Sequence, residues 1–325
     1  MWIIAVIAML CWSGSDIFSK IGSKQEDKLS HYKVGVAVGL VMGAHAIYEV
    51  VVGGVPITFS DIITYLPASF FYIVSMVVGY LGLRYIELSV SSPICNGSGA
   101  VTAILCMLVF GVTFNPDADG NAVFLNAPII AGIACIVIGI IALGFIDNME
   151  DDDLRAKRQM TAYRKYTKSF WAIFLPVLYC ILDSCGTFVD TLIADNYVGK
   201  LVEMGQNEAV AESLAGDVLN TAYEFTWLAV AAIFAIYVFA VKKEKVDKKS
   251  DGTKLVGGIC EAIGQVFYMM VIVAEYVPGY VIISAYCAVS TIWGRIFLKE
   301  KLSYKHYIAL AIAFAGILIL GFYDV

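Results

Sequence analysis

The stretch Asp147 to Lys168, DNMEDDDLRAKRQMTAYRKYTK, packs five acidic and six basic side chains into 22 residues of an otherwise apolar chain. It is too polar to enter a bilayer core and it divides the 325 residues into two halves. A membrane span needs about 20 predominantly apolar residues. Reading outward, five such windows precede the stretch, at roughly 2–20, 32–54, 62–84, 88–112 and 126–147. Five follow it, at roughly 169–194, 219–241, 254–274, 278–298 and 304–323. An odd number of spans per half starts the second half from the opposite side of the membrane, so any internal repeat is an inverted one. The expected fold is an all-α membrane protein with ten transmembrane helices as two inverted five-helix repeats. The divisions are 1–148, a charged linker 149–168, and 169–325 with an outer insertion at 196–218.

Charge patterning sets the orientation. Of 22 Lys and Arg residues, 21 fall in every second gap between the apolar windows, and Lys200 is the exception. Basic loops are retained in the cytoplasm, which puts both termini outside and the linker inside. The net charge of -6 is therefore a sum of two opposed faces, with Asp117, Asp119, Asp195, Glu203, Glu208, Glu212 and Asp217 on the outer one. The first apolar window runs into a polar helix end and has no small-residue cleavage site, so it is expected to stay in the mature protein.

Composition agrees, since 60% hydrophobic residues and a mean hydropathy of +0.79 leave too little polar surface for a soluble globule of this size. A nucleic-acid partner is not indicated. The eight cysteines lie within apolar windows at spacings too wide for a metal knuckle, and read as small hydrophobes. No metal and no cofactor are expected. No GxxxxGK[ST] motif or soluble domain supports ATP-driven transport.

The two halves share a local pattern. LGLRYIELSVSSPICNGSGAVTAILCMLVFG (81–111) and MVIVAEYVPGYVIISAYCAVSTIWGRIFLKE (270–300) each join two spans by a short polar turn, then run through small residues. Pro93, Asn96, Gly97 and Gly99 invite a local unwinding of the fourth span, because Pro removes a donor. Gly35, Gly39 and Gly43 form a small-residue stripe for close helix packing.

LCWSGSDIFSKIG (10–22) is similar to the Trp-Gly…Lys opening of EamA-type members of the drug/metabolite transporter superfamily. TIWGRIFLKEKLSYKHYIALAIAFAGILILGF (291–322) resembles that family's ninth-to-tenth span signature, with Glu300, Lys301 and Leu302 in the matching turn. The resemblance implies a multi-pass protein of a bacterial-type cell membrane that moves a small metabolite, as a monomer or homodimer. Two departures stand out: Val112 occupies a position where the family usually has Glu, and Asn196 to Val218 is an acidic insertion. The insertion reads either as a short helix over the outer mouth or as a solvated loop.

Ionisable groups inside a membrane are costly and usually face a cavity or a partner. Here nearly all are acids. Asp183 and Asp190 share one face of the sixth span. Glu261 heads a polar stripe with Gln265 and Tyr268. Glu224 lies in the seventh span, and Glu49 follows His45 by four residues. Lys20, Arg84 and Arg295 sit at helix ends. The bland alternative, strongest for Glu49 and Asp190, is that an acid bonds to hydroxyls at a helix interface. Burial favours the neutral form of a carboxylic acid, so Glu261, Glu224 and Asp190 are the candidates for proton coupling. Asp183 is the candidate counter-ion. Asn96, Gln265, Ser290 and the aromatic residues Trp12, Tyr268, Tyr286 and Trp293 complete the expected substrate site, where rings can box an ammonium by cation–π contact.

These features favour a secondary transporter of a cationic or zwitterionic amine or amino acid, working by alternating access and coupled to protons. The alternatives are an exporter of other metabolites or drugs without proton coupling, a channel or scaffold, and an intramembrane enzyme pairing Asp183 with a second carboxylate. No catalytic motif supports the enzyme.

Overall fold

The computed structural model describes residues 1–24, 26–114, 123–167, 169–273 and 277–323. The segment 115–122 with Asp117 and Asp119, and Lys168 of the linker, lie outside the described residues. The chain is all-α. Its helices are α1 (Trp2–Gly22), α2 (Ser30–Tyr48), α3 (Phe59–Gly82), α4 (Leu88–Cys95), α5 (Ser98–Phe110), α6 (Ala127–Met149) and α7 (Asp152–Arg158), followed by α8 (Phe170–Glu203), α9 (Glu208–Ala235), α10 (Lys248–Val273), α11 (Val277–Ser284), α12 (Tyr286–Phe297) and α13 (Tyr304–Tyr323). Among the described residues strand pairing is confined to Val112–Thr113 with Val123–Phe124. Among the described residues nine helical segments are long and apolar enough to cross a membrane, which makes this a multi-pass membrane protein.

Helix starts are written in polar caps, where a side-chain oxygen takes up a backbone N–H that has no partner within the helix. Thr58 and Asp61 form a reciprocal box at α3. Asn126, Ser169 and Asn207 accept from the first turns of α6, α8 and α9. Two long helices end in a wider π turn, α2 at Glu49–Gly53 and α9 at Ile236–Val241.

Two expectations change. The predicted ninth span, 278–298, is two short helices, α11 and α12, interrupted at Ala285. The fourth is interrupted as well, with α4 and α5 meeting at Asn96 and Gly97. The insertion at 196–218 is neither a separate lid helix nor a loop. It continues α8 and α9 into a helical hairpin, turning at residues 204–207. At 1.5 Å per residue, the 34 residues of α8 span about 51 Å, against roughly 30 Å of hydrocarbon, so this hairpin projects beyond the membrane.

The halves interleave. Helix α1 lies along α10, α3 along α8, α2 along α9 and α6 along α13, each contact joining one half to the other. Helix α10 also meets α2, and α9 meets α3. The broken segments cross, with α4 against α12, while α4 and α5 reach α8 and α11 and α12 reach α1. The glycine stripe of α2 is what lets α9 approach. A Cβ on Gly39 would stand 2.5 Å from the Trp227 carbonyl oxygen and 2.6 Å from the Ala231 Cβ. Backbone cannot move aside as a flexible side chain can, so Gly39→Val should lose about 1–3 kcal/mol of stability. Thermal unfolding in detergent measures this; an unchanged midpoint would mean the contact is looser than described.

Candidate functional site

A cavity of about 1370 Å³ opens between the halves. Its floor is made by Ser19, Leu83 and Leu88, and its mouth by Asp195, Glu208 and Glu212 on the projecting hairpin. The floor lies toward the end of the bundle that carries the basic loops, and the mouth at the acidic end. Among the described residues that line it there is no Lys, Arg or His.

Four membrane-depth carboxylates reach the cavity from three helices: Asp16, Asp183, Asp190 and Glu261. Asp183, on α8, faces the hydroxyls of Ser98 and Ser75. Glu261, on α10, faces the Ser15 hydroxyl of α1. Asp190, one face-repeat beyond Asp183, accepts from Tyr65 (2.7 Å) and Tyr72 (3.2 Å) of α3. It is thus both a lining group and the interface bond of the bland reading. Asp16 was passed over in the sequence as part of a polar helix end. Its Oδ2 accepts from Ser92 (2.6 Å) and Ser290 (2.7 Å), so it ties α1 to both broken segments. The available signal was its spacing four residues before Lys20, on the same face of the first span.

Trp12, Tyr268 and Tyr286 also line the cavity and form one aromatic group, Trp12 lying 4.9 Å from the Tyr268 ring and 5.7 Å from the Tyr286 ring. Gln265 lines it while donating to Asn220 (3.2 Å) across the α9–α10 interface. Asn96 lines it too, but its amide is committed: Nδ2 donates to the Ser284 carbonyl (2.8 Å) and contacts the Cys287 sulfur (3.2 Å). It pins one helix break to the other, satisfying a carbonyl that the interrupted ladder frees.

Three predicted site residues fall elsewhere. Ser290 is fully buried and spends its hydroxyl on Asp16. Trp293 donates to Ser13 (3.2 Å) and meets the Phe297 ring at a tilt, packed against the core. Glu224 is fully buried between α2 and α9, both its oxygens 2.9 Å from His45 Nδ1, while His45 Nε2 lies 3.4 Å from Glu49. With no Lys or Arg at that depth, Glu224 is partnered by His45, a third member that the His45–Glu49 spacing alone does not disclose. Lys20 is fully buried as well, but its ammonium is held by the Leu83 and Ile86 carbonyls at the end of α3.

Beneath the floor the linker closes the basic end. Arg158 joins Glu87 (2.7 Å), Glu150 (2.8 Å) and the Lys301 carbonyl (2.8 Å). Gln159 bonds Glu87 and the Tyr166 amide. Arg164 bonds the carbonyls of Ile21 and Ser23, the Tyr163 amide bonds the Leu298 carbonyl, and the Tyr166 ring lies over Lys20. Glu300, in the turn that resembles the family signature, caps α4 by accepting from the amides of Leu88 and Ser89 and from the Ser89 hydroxyl. One linker thus ties the ends of α1, α6 and α12 to the start of α4.

Burial alone would raise the Glu87 carboxyl, but the Arg158 guanidinium beside it holds it below its ordinary 4.5. Asp27 behaves likewise: burial opposes ionisation and Lys254 and Lys33 outweigh it, keeping it below 3.8. A lowered carboxyl stabilises the fold above its unfolded-state value and loses that contribution as pH falls through the folded one. The contacts made by Glu87 and Asp27 at the basic end should therefore hold from neutrality down to about pH 4.5 and weaken below it. Limited proteolysis of the linker against pH tests this; equal cleavage at pH 7 and pH 4 would contradict it.

No protein-family model matches this chain, and no curated protein matches it in sequence.

Proposed function

We propose that this protein is a secondary transporter of a small cationic or zwitterionic metabolite, working by alternating access around the acid-lined cavity. One observation carries the reading: the cavity lies between the two halves, reaches membrane depth, is open toward the acidic end and is sealed at the basic end by the linker. That is the form of one state of a carrier, since a continuous pore would have no floor. On the positive-inside rule the sealed end faces the cytoplasm.

The same reading takes the chain as ten spans in two inverted five-helix repeats, of the EamA type that the short motifs resemble. Exchange of the halves supports it. The exchange turns α1 on α10 into α8 on α3, α2 on α10 into α9 on α3, and α1 on α11 and α12 into α8 on α4 and α5. It maps the break at Asn96 onto that at Ala285, and the π turn ending α2 onto that ending α9. In this arrangement rocking one half against the other moves the opening from one face to the other while the central site stays in place. Glu261 is the proton-linked acid of the proposal and Asp183 orients the substrate.

Counterflow tests the transport reading. Proteoliposomes loaded with excess unlabelled phenethylamine should transiently accumulate the labelled amine above its outside concentration, because a loaded carrier returns faster than an empty one. Flux that only relaxes to equal concentrations would indicate a channel instead.

A further inference from the structure

The carrier reading leaves open whether the substrate also bears an acidic group, and the cavity bears on that question directly. A zwitterion needs somewhere to put its carboxylate. The described lining offers no basic side chain. Of the basic groups nearby, buried Lys20 is held by the Leu83 and Ile86 carbonyls and half-buried His45 by Glu224 and Glu49. The other place for an anion would be the N-terminal end of a half-helix at a break, where backbone N–H groups are free. Each such end already has an acid of the protein beside it, Asp183 at the Ser98 side chain that opens α5 and Asp16 at the Ser290 hydroxyl within α12, so a carboxylate placed there would meet like charge.

What the site does offer is acceptors and rings. The Tyr80 side chain is only 8% exposed and lines the cavity, yet its hydroxyl has no partner. Glu261 and Asp16 line the same cavity. A buried hydroxyl without a partner is costly, and its oxygen can accept from an N–H. Trp12, Tyr268 and Tyr286 supply an adjoining aromatic wall. Among the described residues no three His, Cys, Asp or Glu side chains converge as metal ligands, so the cation this lining suits is organic.

We infer that the cavity binds a protonated primary or secondary amine with an apolar or aromatic body and no acidic group. The ammonium lies between Glu261, Asp16 and the Tyr80 hydroxyl, with Asp183 on the same lining to orient it, and the body rests on Trp12, Tyr268 and Tyr286. The inference deepens the carrier reading and rests on the same cavity. A quaternary ammonium fits less well, because it has no N–H for Tyr80.

The test is binding to the purified full-length protein, by calorimetry and thermal shift, with pairs that differ in one group: phenethylamine against phenylalanine, and tyramine against tyrosine. The amine of each pair should bind and raise the unfolding temperature, and the amino acid should bind at least a hundredfold more weakly. Tyr80→Phe, which keeps the ring, should weaken phenethylamine by about ten- to hundredfold, the loss expected for one hydrogen bond to a charged group. It should not change the weaker binding of trimethyl-phenethylammonium. An amino acid that binds as well as its amine, no binding by either amine, or wild-type affinity in Tyr80→Phe would each overturn the assignment. Amine binding without counterflow would remove the carrier and leave the site; counterflow of phenylalanine would do the reverse.

Discussion

Glu261→Gln is expected to abolish amine uptake driven by a pH gradient, by at least about a hundredfold, while some substrate-for-substrate exchange survives at saturating amine. Glutamine keeps the length and shape of the side chain but cannot ionise. Exchange returns the carrier loaded on both legs and needs no net proton release, whereas gradient-driven uptake needs an acid that alternates between two forms. Glu261 is the choice because it meets the cavity with the Ser15 hydroxyl as its partner and with Gln265 and Tyr268 along the same helix face. Proton flux and amine flux measured together in proteoliposomes decide the matter. Wild-type pH-driven uptake in Glu261→Gln would move the proton to another acid. Asp16 then comes before Glu224, because Asp16 faces the cavity and Glu224 is enclosed with His45.

Arg158→Ala is expected to open the basic end. The guanidinium is the shared cation of Glu87 and Glu150 and also holds the Lys301 carbonyl. Its removal leaves Glu87 buried with Gln159 as its remaining side-chain donor. Breaking a buried pair by deleting one partner costs about 3–5 kcal/mol. Here the cost falls on the closed state, since the groups that Arg158 joins would part when the cavity opens at that end. The variant should populate the other state, with faster linker proteolysis and weaker binding of an amine added from the acidic side. Arg158→Lys keeps the charge but not the fork, and should fall between. Proteolysis at the wild-type rate in Arg158→Ala would mean that the linker does not hold this end shut.

Much of this was legible in the sequence because a bilayer makes strong demands. Nine of the ten apolar windows correspond to helices long enough to span, since every backbone group in hydrocarbon must find its partner within the segment. The interruption at Ala285 carried no comparable mark: Pro278 and Gly279 lie well before it, and a break depends on what receives the freed carbonyl, in this case Asn96 from another helix. Asp183, Asp190, Glu261, Gln265, Tyr268, Trp12 and Tyr286 were found because a polar group on an apolar helix must face something polar. Ser290 and Trp293 show the limit of that argument, for the polar thing faced can be another side chain of the protein. Asp16 was missed because a polar helix end and a cavity floor have the same composition; only packing α4 and α12 against α1 separates them.

The central claim, alternating access to one site, is tested most directly at Gly99. It lines the cavity next to the α4–α5 break, and a Cβ there would meet open space, so a cysteine fits without strain. In a variant whose eight native cysteines are replaced, reconstituted in one orientation, the Gly99→Cys thiol should react with an impermeant reagent from the acidic side and, more slowly, from the basic side. Phenethylamine should alter the two rates in opposite directions. Reaction from the acidic side alone, unchanged by amine and by Arg158→Ala, would contradict the account.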